Sequence, residues 1–383
     1  MALRVAITAE PVPSHVSALD YVIGPSLEQG HRLALHAPLM FRREARLRGV
    51  DFHRAGTNWT CAPGVQQTAG TVWKRYGNGA FNRYVFGHLW TELAGRKAQD
   101  LLASWTRTRP DLVIAECSDF GAHLAARVLG LPLVAADNGL GPVLVDLWDS
   151  DIAPALSALH KQYELPAPAL PPMVTPAPVD WFHETTPPGT RAVRRTVARF
   201  RTVLPDRLAP APTARPLVYV SLGTLTTAMA SLRTVVEGLY QEVMAALSAT
   251  GCHAIVSAGE LARHLRTTDS RITVVEHVPQ PALLHHADLF VTHAGRGSLL
   301  DAVQGGTPVL AMGVLGDQPG NAAAFARLGL GQALDLTATR GEMADAITTV
   351  LGAPRYGAAV RAADAALAEL PTFDPVELRD TLM

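Results

Sequence analysis

The rhythm of the chain limits its fold more than any other feature. Short apolar runs, rich in β-branched residues, alternate with amphipathic stretches, and the alternation occurs twice. Residues 3–9 (LRVAITA) read as a buried strand, 16–29 as a helix stopped by Gly30-His31, and 32–36 as a second strand. A strand over 111–115 (DLVIA), a helix over 121–129 and a strand over 131–135 continue the pattern. It restarts at 216–221 (PLVYVS), with strands over 253–257, 271–276, 288–292 and 308–312 and helices over 232–249, 296–304 and 320–328. Parallel strands need a crossover between them, and helical crossovers cover both faces of the sheet. The pattern therefore predicts two α/β domains, each a mainly parallel sheet between helices. A chain of 383 residues suffices for two buried cores.

Two proline-rich intervals, 165–189 and 205–216, lie between the halves. Proline fixes φ and lacks an N–H, so neither is expected to form central sheet or helix. The expected organisation is an N-terminal domain over 1–204, a linker over 205–216, a second domain over 217–354, and helices over 355–383 placed to pack back on the N-terminal domain. Residues 58–90 interrupt the rhythm with three Trp, two Tyr, two Phe and several Gly. Two readings stand: an irregular surface loop with some core aromatics, or one wall of an acceptor cleft carrying Trp59, Trp73, Tyr76, Phe81, Tyr84 and Trp90. Rigid aromatics bind flat apolar molecules at small entropic cost.

A formal net charge of −1 offers no electrostatic reason to expect nucleic acid or an anionic membrane as partner. Cys61, Cys117 and Cys252 are an odd, scattered set without a CxxC pair, which argues against zinc and a disulfide framework and fits a reducing cytoplasm. The first fifteen residues lack the charged region and long apolar core of a signal peptide, and no apolar stretch reaches the ~18 residues of a membrane helix. Fourteen histidines raise the question of a metal, but His285-His286 would point apart on a helix and no HExxH or DxD pattern occurs; neither metal nor cofactor is expected.

The strongest chemical signal is in the second half. His293 follows an apolar strand, and Gly295 and Gly297 then open a helix, with Ser298 next. Main-chain N–H groups and the positive end of a helix dipole thus meet at the carboxyl edge of a parallel sheet, where an anionic diphosphate is the natural guest. The turn Ser221-Leu222-Gly223-Thr224 follows the first strand of that domain and offers more donors at the same edge. Neither a dinucleotide GxGxxG nor a GxxxxGK[ST] loop is present, which argues against a nicotinamide dehydrogenase and a P-loop NTPase.

The stretch HVPQPALLHHADLFVTHAGRGSLLDAVQGGTPVLAMGVLGDQPGNAAAFARLGLG resembles the donor-binding signature of GT-B-fold glycosyltransferases, the superfamily of UDP-glucuronosyl- and glucosyltransferases and bacterial antibiotic glycosyltransferases. The resemblance implies two Rossmann-like α/β domains facing across a cleft. It places Val278 and Gln280 at the nucleotide base, His293, Gly297 and Ser298 with Thr224 at the diphosphate, Asp317 and Gln318 at the sugar hydroxyls, and Asn321 on the phosphate side. Asp301 stands where the family usually has a ribose-binding Glu, His277 where many members have a base-stacking Trp, and Ala294 where Gly or Cys is common.

The first half resembles the family more faintly. His15 and Gly30-His31 match members reading GHxxP…GH, with Ser14 and Ala18 where Gly and Pro are frequent. The family's catalytic base sits at the position of His15. Position alone also favours it: His15 lies in a loop past the first strand, and an imidazole titrates near neutrality. Glu116 aligns with the acid of the family's dyad; Asp119 is the alternative partner or a helix cap, and Asp137 is a third carboxylate at that edge. The resemblance implies an inverting, metal-independent transfer of a sugar from a dTDP- or UDP-sugar to a small aromatic or polyketide-like aglycone, O- or C-linked, by a cytoplasmic enzyme that forms a homodimer or acts alone. A sugar-nucleotide 2-epimerase and a non-catalytic activator are the other readings on the same fold.

Overall fold

The computed structural model describes residues 2–182, 187, 189–206, 216–223 and 229–383. The chain divides into two units. Residues 1–198 and 369–383 form the first, and 199–368 the second.

The first unit is built on a seven-stranded sheet with the order β3-β2-β1-β4-β5-β6-β7. The strands are β1 (Arg4–Thr8), β2 (Arg32–Ala37), β3 (Asp51–Arg54), β4 (Leu112–Glu116), β5 (Leu133–Ala136), β6 (Met173–Thr175) and β7 (Arg191–Ala192), and every pairing is parallel. Successive side chains of a strand point to opposite faces. Val5 and Ile7 with Leu112 and Ile114 therefore enter one core, while Ala6 with Val113 and Ala115 enters the other. The end of the chain completes the first of these cores through Phe373 and Leu378, the latter on the helix Pro375–Leu382.

Two expectations for this unit are corrected. The aromatic interval is helical: Pro63–Asn82 runs through a π-helical turn, Arg83–Leu89, into Trp90–Thr108. Its glycines suggested loop, yet only Gly77 leaves helical geometry, at φ 80°, where it kinks the first helix. Gly121 has a packing reason: a Cβ there would lie 2.8 Å from the Ala94 carbonyl oxygen and 2.8 Å from Cβ of Lys97, so glycine lets the helix Phe120–Leu129 rest against Trp90–Thr108. The proline-rich interval does contribute strand. The proline-free residues 173–175 form β6, paired on both sides, and Ala135 donates its N–H to the Pro172 carbonyl.

The second unit repeats the winding: β8 (Leu217–Ser221), β9 (His253–Ser257), β10 (Ile272–Val275), β11 (Leu289–Thr292), β12 (Val309–Ala311) and β13 (Gly331–Ala333) make an all-parallel sheet in the order β10-β9-β8-β11-β12-β13. The division at 198/199 precedes the interval 205–216 expected as linker, of which 207–215 lie outside the described residues. The helix Pro354–Ala368 belongs to this second unit, and only the residues after it return to the first.

In each sheet the strand order reverses once, between β1 and β4 and between β8 and β11. Loops leaving the carboxyl ends of those neighbours diverge to opposite faces and open a crevice, which is where open α/β sheets bind ligands. The predicted residues fall at these two places.

Candidate active site

In the first unit, β1 and β4 pair with Thr8 beside Ala115, so the next residue of β4, Glu116, stands at the crevice. The chain leaving β1 passes Glu10 and Pro11 and enters a short helix, Pro13–Ala18, which begins at a proline. His15 is therefore in a helix rather than the expected loop. Its Nδ1 lies 2.7 Å from Glu116 Oε1; the carboxylate is fully buried and the imidazole 13% exposed. Glu116 is held from two further directions, by the Glu10 main-chain N–H on Oε2 at 2.8 Å and by the Ser118 hydroxyl on Oε1 at 2.5 Å. With Nδ1 directed at a carboxylate, Nε2 is the ring nitrogen left to accept a proton.

The other two carboxylates go elsewhere. Asp119 caps the helix Phe120–Leu129, accepting from the Ala122 N–H at 3.0 Å, and its other oxygen pairs with Lys97 at 2.6 Å. Asp137 is fully buried, with its oxygens on the N–H groups of Gly139 and Gly141 and the hydroxyl of Thr175. That places Asp137 in a turn after β5 and assigns it to holding the fold, in contrast to the catalytic reading.

Two site residues escaped the sequence reading. Glu10 takes the Lys97 ammonium at 2.9 Å and the Trp59 indole N–H at 3.4 Å. Burial pushes its carboxyl up to about 7, against the pull of Lys97 and with the help of Asp119 and Glu116. Lys97 also donates to the Ala9 carbonyl at 2.8 Å. Burial alone would lower its pKa, but Asp119 and Glu10 outweigh burial and hold it protonated. A signal existed: Lys97 shares the buried face of its helix with Ala94, Ala98, Leu101 and Trp105, a cation in a core position.

The aromatic set divides. Trp90 meets the His15 ring edge-on at 6.1 Å between centroids and packs against Trp59 and Phe86, so Trp59 and Trp90 adjoin the dyad. Phe81 and Trp90 are core residues, 4% and 5% exposed. Tyr76 is 63% exposed beneath the Arg75 guanidinium, Tyr84 faces His88, and Trp73 is half-buried; the structure does not join these three to His15.

In the second unit the ring of His293 is wedged between two glycine turns. A Cβ on Gly223 would lie 2.4 Å from its Nε2 and one on Gly295 2.6 Å, so both glycines are required by the imidazole. Gly223 also has φ +84°. Burial pushes the imidazole down to about 4, against a hydrogen bond to the Ser221 main chain, so the ring is neutral at pH 7. Gly297 differs: a Cβ there meets nothing within 4 Å. It lies in the first turn of the helix Arg296–Gly305, whose N-cap is Gly295 and carries no side-chain cap. A helix N-terminus without a side-chain cap suits an anion. Ala294 holds a left-handed φ of 64°, tied by its carbonyl to Asn321 Nδ2 at 3.1 Å.

Asn321 also donates to Asp317, the N-cap of the helix Gln318–Arg327, at 2.5 Å. Gln318 braces the preceding turn, its Oε1 accepting from the N–H groups of Val314 and Leu315. Gln280 donates to Ser298 at 3.1 Å and to Asp301 at 2.8 Å, and Arg201 reaches Asp301 at 3.4 Å. Gln280, Ser298 and Asp301 thus form one partly buried polar cluster, to which Arg201 is an addition the sequence did not suggest. His277 is exposed and Val278 half-buried. Thr224 lies outside the described residues. Among the described residues no helix is long and apolar enough to cross a membrane.

Comparison with known proteins bears on both units. The family model described as UDP-glucoronosyl and UDP-glucosyl transferase matches residues 209–371. The anthocyanidin 3-O-glucosyltransferase of Hordeum vulgare is 38% identical over 144 residues, 36% of this chain and 30% of that protein. The oleandomycin glycosyltransferase of Streptomyces antibioticus is 33% identical over 124 residues, 32% of this chain and 27% of that protein. The matched stretch is thus less than a third of either relative's length. The structure of the spinosyn rhamnosyltransferase SpnG complexed with thymidine diphosphate superposes with a TM-score of 0.81 over 100% of both chains at 19% identity. The calicheamicin glycosyltransferase CalG4 gives a TM-score of 0.77 over 100% of this chain and 97% of that one at 16% identity. These two likenesses carry the fold of both units, and the sequence matches carry the signature of the second. Residues 209–371 thus carry the match to the UDP-glucoronosyl and UDP-glucosyl transferase family model, and the whole chain shares the fold of these two solved glycosyltransferase structures.

Proposed function

We propose that the chain is an inverting glycosyltransferase that moves a sugar from a nucleoside-diphosphate sugar, dTDP- or UDP-linked, to a hydroxyl of a small aromatic or polyketide-like aglycone. The observation that carries this reading is the contact of His15 Nδ1 with the buried Glu116 carboxylate at 2.7 Å. Glu116 orients the imidazole and stabilises the imidazolium that forms. Nε2 takes the proton of the acceptor hydroxyl. The oxygen attacks the anomeric carbon as the bond from that carbon to the diphosphate oxygen breaks, and the diphosphate leaves with the bonding pair. One displacement through an oxocarbenium-like transition state inverts the anomeric centre. The helix N-terminus at Gly297 in the second unit supports the departing negative charge. The structural relative SpnG forms complexes with thymidine diphosphate and with spinosyn aglycone, which supports this donor and acceptor class.

The test incubates the protein with dTDP-glucose or UDP-glucose and a panel of phenolic acceptors and follows conjugates by mass spectrometry. Conjugates that disappear in His15→Ala are expected. Absence of any conjugate, together with no thermal stabilisation by saturating dTDP or UDP, sinks the proposal.

A further inference from the structure

Lys97 sits where three elements meet. It comes from the helix Trp90–Thr108, whose first residue, Trp90, touches the His15 ring. Its ammonium binds Ala9 O and Glu10 Oε1 on the segment leaving β1 and pairs with Asp119 Oδ2 on the segment leaving β4. These are the two segments that carry His15 and Glu116. The lysine stem is clamped in turn: a Cβ on Gly121 would lie 2.8 Å from Lys97 Cβ, and one on Gly56 3.2 Å from its Cδ. Lys97 is 4% exposed, so its charge is not shared with solvent. A buried cation bound to two carboxylates and a carbonyl is rigid, because releasing any partner leaves an uncompensated group in a low dielectric.

Taking His15 as the base, as proposed above, we propose that Lys97 is a positioning residue: its ammonium bolts the segment after β1 to the segment after β4 and so holds His15 against Glu116 in a single tautomer. The link to the dyad is direct, since the main-chain N–H of Glu10, whose carboxylate Lys97 grips, donates to Glu116 Oε2 at 2.8 Å.

Lys97→Met removes the charge at similar length. Because it strands two buried carboxylates, the double variant Lys97→Met/Glu10→Gln is prepared beside it, which keeps the net charge of the cluster and unties the bolt. The full chain is labelled with 15N-histidine, and the His15 resonances are identified by their loss in His15→Gln. In the wild type the long-range 15N–1H spectrum should show one neutral tautomer, protonated at Nδ1; in whichever of the two variants remains folded it should show tautomer averaging. With dTDP-glucose or UDP-glucose and 4-methylumbelliferone, kcat should fall at least about tenfold while the donor KM stays within about twofold. A folded variant whose His15 keeps the single Nδ1–H tautomer overturns the proposal, whatever its kcat. No turnover by the wild type with any acceptor, together with no thermal stabilisation by dTDP or UDP, refutes the glycosyltransferase reading instead, and the spectra still decide the role of Lys97.

Discussion

His36 offers a quantitative test of the first unit. It is the penultimate residue of β2, a buried side chain stacked on His53 at 4.8 Å between centroids, with the Trp105 indole N–H donating to its Nε2 at 3.4 Å. Burial lowers its pKa from the ordinary 6.5 to about 3, and the charges of His53 and Lys97 add to the effect. A histidine whose pKa is depressed by folding stabilises the protein above its unfolded value, and that stability is lost as pH falls from about 6.5 toward 3. At 1.36 kcal/mol per unit the whole window is worth about 5 kcal/mol, of which about 2 kcal/mol is lost between pH 7.5 and 5.0. Two neighbours move in the same interval. His123, lowered by burial to about 4, adds a loss of similar size. Glu10, raised by burial to about 7, has the opposite sign and gains about 2 kcal/mol as pH falls through 7. The wild-type slope is therefore composite, and a single substitution isolates the His36 share. His36→Gln keeps an acceptor for Trp105 and does not titrate. All six tryptophans lie in the first unit, so their fluorescence follows its unfolding in urea without the second. Between pH 7.5 and 5.0 the wild type should lose about 2 kcal/mol more than His36→Gln. Equal losses in the two proteins, within about 0.5 kcal/mol, would refute the assignment of His36 as a neutral buried histidine.

Further outcomes follow from the sites. Glu116→Gln should lower kcat by about two orders of magnitude with little change in donor KM, measured by conjugate formation. Gly295→Ala drives a methyl into the His293 ring and should cost about 1–3 kcal/mol in thermal or urea unfolding. Among the described residues, Gly297→Ala meets no protein atom within 4 Å, so it should leave stability within about 1 kcal/mol and yet abolish the thermal shift given by dTDP or UDP. Asn321→Ala frees the left-handed turn at Ala294 and should weaken the same shift without affecting His15 chemistry, which hydrogen–deuterium exchange over 292–298 can localise.

The amino-acid order by itself determined the parallel α/β character of both halves, while the strand order, and with it each switch point, came from the tertiary structure. Parallel strands are buried on both faces, so their apolar runs are continuous and easily seen, and the chain at or just past their carboxyl ends carries His15, Glu116, Gly223 and His293. Local signals failed where glycine and proline serve packing rather than turns. Residues 63–108 are helical despite their glycines, and over Trp90–Thr108 Gly121 lets a second helix pack close, a contact that outweighs propensity. β6 exists because three proline-free residues find partners on both sides. Only the tertiary structure decided which carboxylate serves His15. Glu116, Asp119 and Asp137 stand at one edge in sequence, but burial forces each buried oxygen to find a donor, and the donors come from distant segments: Glu10 for the first, Lys97 for the second, Thr175 for the third. Electrostatic partnership inside a protein is set by distance in space, and nothing in the spacing of residues 10, 97 and 119 along the chain announces that they share one buried charge cluster.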